Sequence, residues 1–262
     1  MTLREKAALA ERTARAAGEM LEHHGAFKIR RKSENDFVTE MDVKSENLIR
    51  DMLLSACPED EFFGEEGGGA AKAAGRWIVD PIDGTANFMR GDRLYTISIA
   101  YEHDGILMIG CVYCPATDEL FLALRGEGAT CNGRPIHVSD VERLRDALVH
   151  IGFGHRNPEH LAETEKVLFP LLRAVSDLRR TGTGAYDLCA VAAGRAEAFI
   201  EQGLSIYDYA AGYVILTEAG GRMDGWHPWQ DPLETGSLLA GNGRVNAGIS
   251  AILNPQILPP QA

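Results

Sequence analysis

Small apolar residues recur at three- and four-residue spacing from Leu3 through Ala7, Ala10, Ala14, Ala17 and Leu21, the buried stripe of a helix. Thr2 and Glu5 stand at its start with the spacing of a capping box. A second helix is predicted from about Thr39, with Asp42 three positions on; it buries Leu48, Ile49, Met52 and Leu53 and stops at Cys57-Pro58. Glu61-Phe62-Phe63 then leads into Gly64-Glu65-Glu66 at a strand end. The run from Gly67 to Gly75, almost all Gly and Ala around Lys72, reads as a mobile loop. Arg76-Trp77-Ile78-Val79-Asp80 is predicted as a short buried strand ending on a carboxylate. Tyr95 to Glu102, Ile106 to Tyr113 and Glu119 to Leu124 follow as antiparallel strands, separated by Asp104-Gly105 and by Pro115 to Asp118.

Beyond about Val141 helices and strands alternate. A strand is predicted from Ala147 to Phe153, helices from Pro158 to Ser176 and Thr183 to Ala193, and a strand from Glu197 to Ile200. A helix from about Asp208 to Ala219, a strand from Ser237 to Ala240 and a helix from about Val245 to Leu253 precede a proline-rich tail. The change of pattern predicts two subdomains, residues 1–140 (α+β) and 141–262 (α/β), in one compact unit.

The chain has 262 residues, long enough to bury roughly three quarters of its unfolded surface in a core that needs no staples. Its 26 Lys and Arg against 38 Asp and Glu give a net charge of −12, and no basic run follows a phosphate backbone, which argues against direct nucleic-acid binding. The longest apolar stretch, Ile106 to Cys114, is about half a membrane span, and the N-terminus opens on charged residues, so a cytoplasmic protein without membrane attachment is expected. Five cysteines are an odd number for a disulfide framework. Cys111 and Cys114 form a CxxC, but in a strand residues three apart point to opposite faces, so neither a redox pair nor a zinc site is expected.

The excess of carboxylate matters where it collects. Asp80-Pro81-Ile82-Asp83-Gly84-Thr85 places two acids three residues apart where a buried strand ends. Like charges there repel and raise each other's pKa unless a cation neutralises them. Pro81 fixes one torsion of the turn, and Gly84 lets the backbone approach a ligand closely. A helix beginning just afterwards would leave the Gly84 and Thr85 amides as donors for an anion such as phosphate. Carboxylates, with the Ile82 carbonyl as a further oxygen, suit Mg²⁺ or Mn²⁺ rather than zinc or copper. Taken alone, the segment is equally well a turn with a helix cap, and Glu65, Glu66 and Asp208 each have a bland reading as a loop edge or N-cap.

Together the segments resemble the inositol monophosphatase family of Mg²⁺-dependent, lithium-sensitive phosphatases. The resemblance is carried by Gly64-Glu65-Glu66, by Trp77-Ile78-Val79-Asp80-Pro81-Ile82-Asp83-Gly84-Thr85-Ala86-Asn87-Phe88 and by Asp208-Tyr209-Ala210-Ala211-Gly212, in order and spacing. Asp36-Phe37-Val38-Thr39 with Asp42, Arg180-Thr181-Gly182-Thr183-Gly184 and Thr217-Glu218-Ala219-Gly220-Gly221 agree as well, so it spans nearly the whole chain. It implies an αβαβα five-layer sandwich of the sugar-phosphatase type and a homodimer. It also implies two to three Mg²⁺ ions: Glu65, Asp80 and the Ile82 carbonyl on the first, Asp80, Asp83 and Asp208 on the second, and Glu65 with water on the third. Most metal ligands then lie before residue 140, and Asp208 and the substrate pocket after it.

By the same resemblance Glu65 and Thr85 orient an attacking water, Asp42 and Lys32 support the third ion's shell and the loop, and no phosphoenzyme forms. Asp83, Gly84 and Thr85 would meet the phosphate end of the substrate, and Gly182, Thr183, Gly184 and Glu201 its polyol. A carboxylate at position 201 is suited to accept hydrogen bonds from vicinal hydroxyls. Tyr207, where relatives usually carry Trp, and Gly184, where many carry Ala, touch only the substrate side. The expected activity is hydrolysis of myo-inositol monophosphate or a related polyol or sugar phosphate. Fructose-1,6-bisphosphate, histidinol phosphate, NADP and 3′-phosphoadenosine 5′-phosphate are alternatives within the family. A regulatory protein-binding partner of the transcription machinery is the alternative of another class. Gly182-Thr183-Gly184 is no dinucleotide fingerprint, since Asp187 stands where the third glycine belongs. His150, His155 and His160 have no helical metal spacing and read as structural or surface groups.

Overall fold

The structure is a computed structural model that describes residues 1–33, 36–68 and 73–255. Helix α1 (Leu3–Glu22) opens the chain: the Thr2 hydroxyl accepts the Glu5 amide, the Glu5 carboxylate accepts the Thr2 amide, and the Ala7-to-Leu21 stripe is buried. Strands β1 (Ile29–Ser33) and β2 (Asp36–Thr39) form a hairpin with no apolar alternation to announce it. Helix α2 (Glu40–Ala56) follows, capped by Thr39 with Asp42 as predicted; Ile49 and Leu53 are fully buried.

Strands β3 (Glu61–Gly64) and β4 (Gly75–Asp83) pair in parallel. After a short helix α3 (Thr85–Met89), β5 (Thr96–His103), β6 (Ile106–Cys114), β7 (Glu119–Leu124), β8 (Gly128–Cys131) and β9 (Arg134–Pro135) extend a seven-stranded sheet in which every pair beyond β4 is antiparallel. The largest departures from the sequence expectation lie in β4. Gly75 opens β4 rather than closing a loop, and β4 runs past Asp80 to Asp83. Its register slips between Asp80 and Asp83, where Pro81 has no amide to give to β5. The expected Gly67-to-Gly75 loop lies partly outside the described residues, at 69–72, as do the tail from residue 256 and the Lys32 and Asp36 side chains.

The second half contains β10 (Leu148–Ile151), α4 (Pro158–Ala174), β11 (Asp177–Arg179), α5 (Gly184–Ala192), β12 (Ala198–Glu201), α6 (Ile206–Glu218), β13 (Arg222–Gly225), α7 (Pro232–Thr235), β14 (Leu238–Gly241) and α8 (Asn246–Leu253). Its five-stranded sheet has the order β11-β10-β12-β14-β13. The outer strands β11 and β13 and helix α7, three or four residues each, are too short for periodicity to reveal. Asp208 does not begin α6: Ser205 is the N-cap, and Asp208 sits in the first turn with its carboxylate accepting the Ser205 amide at 2.6 Å.

Three apolar clusters order the layers. The first joins α1 and α2 to one face of the seven-stranded sheet, and the second joins that sheet's other face to α5, α6 and the second sheet. The third packs α4 and α8 on the outer face of the second sheet. This is the expected αβαβα sandwich, an α/β layered fold. All five cysteines are free.

Candidate functional site

The end of β4, the turn into α3, the loop before α5, the end of β12 and the first turn of α6 converge on one cavity of about 440 Å³. Asp80 is 2% exposed and Asp83 8% exposed. Each offers an oxygen that, with one from Asp208, forms a group whose members all lie within 4.8 Å. Two of these acids come from the bulged end of β4 and one from a helix more than a hundred residues later, so the layered fold, not local sequence, brings them together.

The acids are costly to hold there. Burial raises Asp80 well above the ordinary carboxylate range, and the charges of Glu65, Asp83, Asp208 and Asp42 add to it. Asp208 is raised well too, first by burial and then by Asp83, against the lowering effect of the Ser205 amide. Asp83 is pushed up to about 6 by burial, although it accepts hydrogen bonds from the Thr183 hydroxyl and, at 2.8 Å, from the Ala185 amide. Like carboxylates at such separations call for a cation, and this all-oxygen donor set fits a hard divalent one. Glu65 lines the same cavity; its amide donates to the Val79 carbonyl at 3.2 Å, fixing it beside β4.

The Ile82 amide donates to Asp80 at 3.0 Å, and the Ile82 carbonyl lies 3.0 Å from the Thr85 hydroxyl. That hydroxyl is also 3.0 Å from Asp42, a fully buried acid whose other oxygen accepts the Thr39 hydroxyl and amide at 2.6 and 2.7 Å. Asp42 does not line the cavity. It serves as the helix cap of α2 and as the anchor of Thr85, and burial raises its pKa.

On the other side lie Gly182, Thr183, Gly184 and Glu201. Gly84 adopts φ 94°, the left-handed conformation that turns the chain from β4 into α3 and that other residues take only with strain. Glu201 ends β12 and is pushed up to about 7, by burial first and by the charge of Asp187 next, with Arg180 opposing. Gly152 faces it: a Cβ there would lie within 2.2 Å of both Glu201 carboxylate oxygens, so any other residue would push the acid out of this position.

Every metal, catalytic and substrate residue implied by the resemblance, except Asp42 and Lys32, thus lines one cavity. The Lys32 side chain lies outside the described residues. Sequence reasoning missed the rim formed by His155, Arg156, Asn157, His160 and Arg180, treating the histidines as structural or surface groups, and it missed Asp187. It also missed Asn87 as a brace, whose amide nitrogen donates to the Leu94 and Thr181 carbonyls at 2.7 and 2.9 Å and ties the first half to the second. These residues carry no local motif; only the fold juxtaposes them. A second acidic group, Cys57, Glu59 and Asp60, lies elsewhere, and there the Lys6 ammonium is bonded to Asp60.

The model of the inositol monophosphatase family matches residues 2–257. The chain belongs to the inositol monophosphatase family. It is 40% identical over 227 residues to the inositol-1-monophosphatase of Mesorhizobium japonicum, covering 86% of this chain and 85% of that one. It is 37% identical over 252 residues to the Nus factor SuhB of Vibrio cholerae, covering 94% and 93%. The crystal structure of the extragenic suppressor protein suhB from Bartonella henselae superposes with a TM-score of 0.90 at 35% identity, over 95% of this chain and 98% of that one. Family relatives thus include proteins named as phosphatases and proteins named as Nus factors. No helix among the described residues is long and apolar enough to cross a membrane.

Proposed function

We propose that this protein is a Mg²⁺-dependent phosphomonoesterase that hydrolyses myo-inositol monophosphate or a closely related polyol or sugar phosphate. The observation that carries the reading is the convergence of two buried acids, Asp80 and Asp83, and the half-buried Asp208 on the cavity that also holds Glu201. Three mutually destabilising carboxylates are an expensive arrangement unless they serve a cation. The family name of the Mesorhizobium relative supports the substrate class.

In this reading Glu65, Asp80 and the Ile82 carbonyl hold one Mg²⁺, Asp80, Asp83 and Asp208 a second, and Glu65 with water a third, with Mn²⁺ as a substitute. When bound, the ions neutralise the phosphate, make water a better nucleophile and stabilise the charge on the leaving oxygen. The chain's own residues do the positioning. Thr85, with its hydroxyl fixed between Asp42 and the Ile82 carbonyl, orients the attacking water, and Glu65 holds the proton that water gives up. Gly84 lets the backbone close on the phosphate, and Gly182, Thr183, Gly184 and Glu201 receive the polyol. Phosphoryl transfer asks a protein mainly for such positioning and electrostatic support. The reading extends to a homodimer in the cytoplasm that acts on small phosphorylated molecules and binds neither nucleic acid nor membrane.

The kinship to proteins named Nus factor favours one second reading, a regulatory role through a protein partner. Phosphate release distinguishes them, assayed with myo-inositol monophosphate, fructose-1,6-bisphosphate, histidinol phosphate, NADP, 3′-phosphoadenosine 5′-phosphate and an aryl phosphate. Turnover of inositol phosphate ahead of the others supports the proposal, and absence of any Mg²⁺-supported release overturns it.

A further inference from the structure

One buried acid on the substrate side has no part in the chemistry above. Asp187, in the first turn of α5, is 2% exposed yet lines the cavity. Its Oδ1 accepts the Thr181 hydroxyl at 2.7 Å and bonds Nδ1 of His150, itself 6% exposed on β10. Its Oδ2 accepts no hydrogen bond among the described residues. Asp187 lines the cavity, where a carboxylate oxygen that no protein donor among the described residues occupies can accept a ligand hydroxyl.

Strand pairing places a second acid beside it. β10 and β12 run parallel with His150 opposite Phe199 and Ile151 opposite Ile200, so His150 and Glu201 project from the same face of the sheet, toward α5. The two acids sense each other: burial is the main reason that the carboxyls of Glu201 and Asp187 are both raised, and the charge of Asp187 is the next contribution at Glu201. The groups that face the pair are His150 from β10, Thr181 and Arg180 from the loop before α5, and Asp83 from β4. In that set His150 holds Asp187 by its ring and Arg180 supplies the positive charge, so the wall presents two carboxylates with a guanidinium beside them.

Resting on the polyol-phosphatase reading, we propose that Asp187, anchored through Oδ1 by His150 and Thr181, is a second hydroxyl acceptor beside Glu201, and that the pair selects phosphate esters bearing two adjacent free hydroxyls. A single carboxylate satisfies one or both hydroxyls of many polyols. Two fixed acceptors on adjacent elements reward a vicinal diol and leave a buried acceptor unpaired when one hydroxyl is missing, and that penalty is what discriminates in sites built to bind polar groups. His150 is a positioning residue: it touches no substrate and acts by holding Asp187.

The test compares three substrates on the full-length protein with Mg²⁺: inositol monophosphate, its analogue lacking one hydroxyl of a vicinal pair, and an aryl phosphate without hydroxyls. Asp187→Asn should raise KM for inositol phosphate roughly tenfold to a hundredfold, the worth of one charge-assisted hydrogen bond, with a much smaller change in kcat. The ratio of kcat/KM between diol and deoxy substrates should collapse by a similar factor. His150→Gln, which keeps a polar group but loses the imidazole anchor, should shift the ratio in the same direction by less. An unaltered diol-to-deoxy ratio in both variants overturns the inference, and so does an equal loss on the aryl phosphate, which assigns Asp187 to the fold or the ion site. Should Asp187→Asn fail to fold, the ratio in His150→Gln decides alone. Wild-type turnover of the aryl phosphate with no preference for the diol refutes the diol reading while leaving the phosphatase reading standing; no turnover of any substrate refutes the phosphatase reading itself.

Discussion

Replacing Glu201 with Gln should stabilise the protein and weaken it as an enzyme. The Glu201 carboxyl ordinarily titrates at 4.5 and stands at about 7 here, chiefly because it is buried. Between those values the folded protein keeps a proton that the unfolded chain has released, so the folded state is penalised as pH rises through the window. Each pH unit of that window is worth about 1.4 kcal/mol, so the wild type loses on the order of 2 kcal/mol through this group between pH 5 and pH 8. Gln has no such titration, and it also removes the charge that helps raise Asp208, a further gain of the same sign. Urea denaturation in excess chelator should therefore show the Glu201→Gln variant gaining about 2 kcal/mol on the wild type on going from pH 5 to pH 8. The same variant should bind a polyol phosphate roughly tenfold to a hundredfold more weakly, because an amide is a poorer hydroxyl acceptor than a carboxylate. A stability difference that is the same at both pH values would refute the argument that burial of this carboxylate is what raises it.

Asp83→Asn keeps size and hydrogen-bonding capacity but removes a charge from the acidic group, and kcat should fall on the order of a hundredfold or more, at least about 2.7 kcal/mol of transition-state stabilisation. Its thermal midpoint in chelator should not drop, and kcat unchanged at saturating Mg²⁺ would remove Asp83 from the site. Gly152→Ala places a methyl within 2.2 Å of the Glu201 carboxylate oxygens, so steady-state kinetics should show a raised KM for the polyol phosphate with a smaller effect on an aryl phosphate. Asp42→Ala removes the partner of Thr39 and Thr85 at once: denaturation should show a loss of about 1 to 2 kcal/mol from the helix cap, and kinetics a lowered kcat from a loosened Thr85.

What the sequence made legible follows from how each feature is encoded. Helices α1 and α2 carry their own stripes and capping boxes, so Thr2, Glu5, Thr39 and Asp42 mark starts that the structure repeats. The long strands β5, β6 and β7 are bounded by turns at Asp104-Gly105 and Pro115 to Asp118, and their limits move by one residue or none. The β1–β2 hairpin and strands β11 and β13 escape because their pairing is decided by neighbours in space, not by alternation along the chain. The acidic group was visible because Asp80 and Asp83 share one segment. Asp208 joined them through a family resemblance, and its place in the first turn behind Ser205 shows why a lone acid near a helix start does not mark the first residue. Asp187 and Gly152 were illegible for a plainer reason: each matters through a partner distant in sequence, His150 for the Asp187 Oδ1 and Glu201 for the empty space at Gly152, 37 and 49 residues away.

The central claim is that buried carboxylates hold Mg²⁺ for the hydrolysis of a phosphate monoester. The most direct measurement is phosphate release from myo-inositol monophosphate by the purified protein with Mg²⁺ present, then in excess chelator, then with Mg²⁺ or Mn²⁺ restored. The account predicts turnover that chelation abolishes and either ion recovers, with inhibition when the larger Ca²⁺ replaces them, because an all-oxygen site built for octahedral geometry is poorly served by an ion with looser coordination. Full turnover in excess chelator would contradict it.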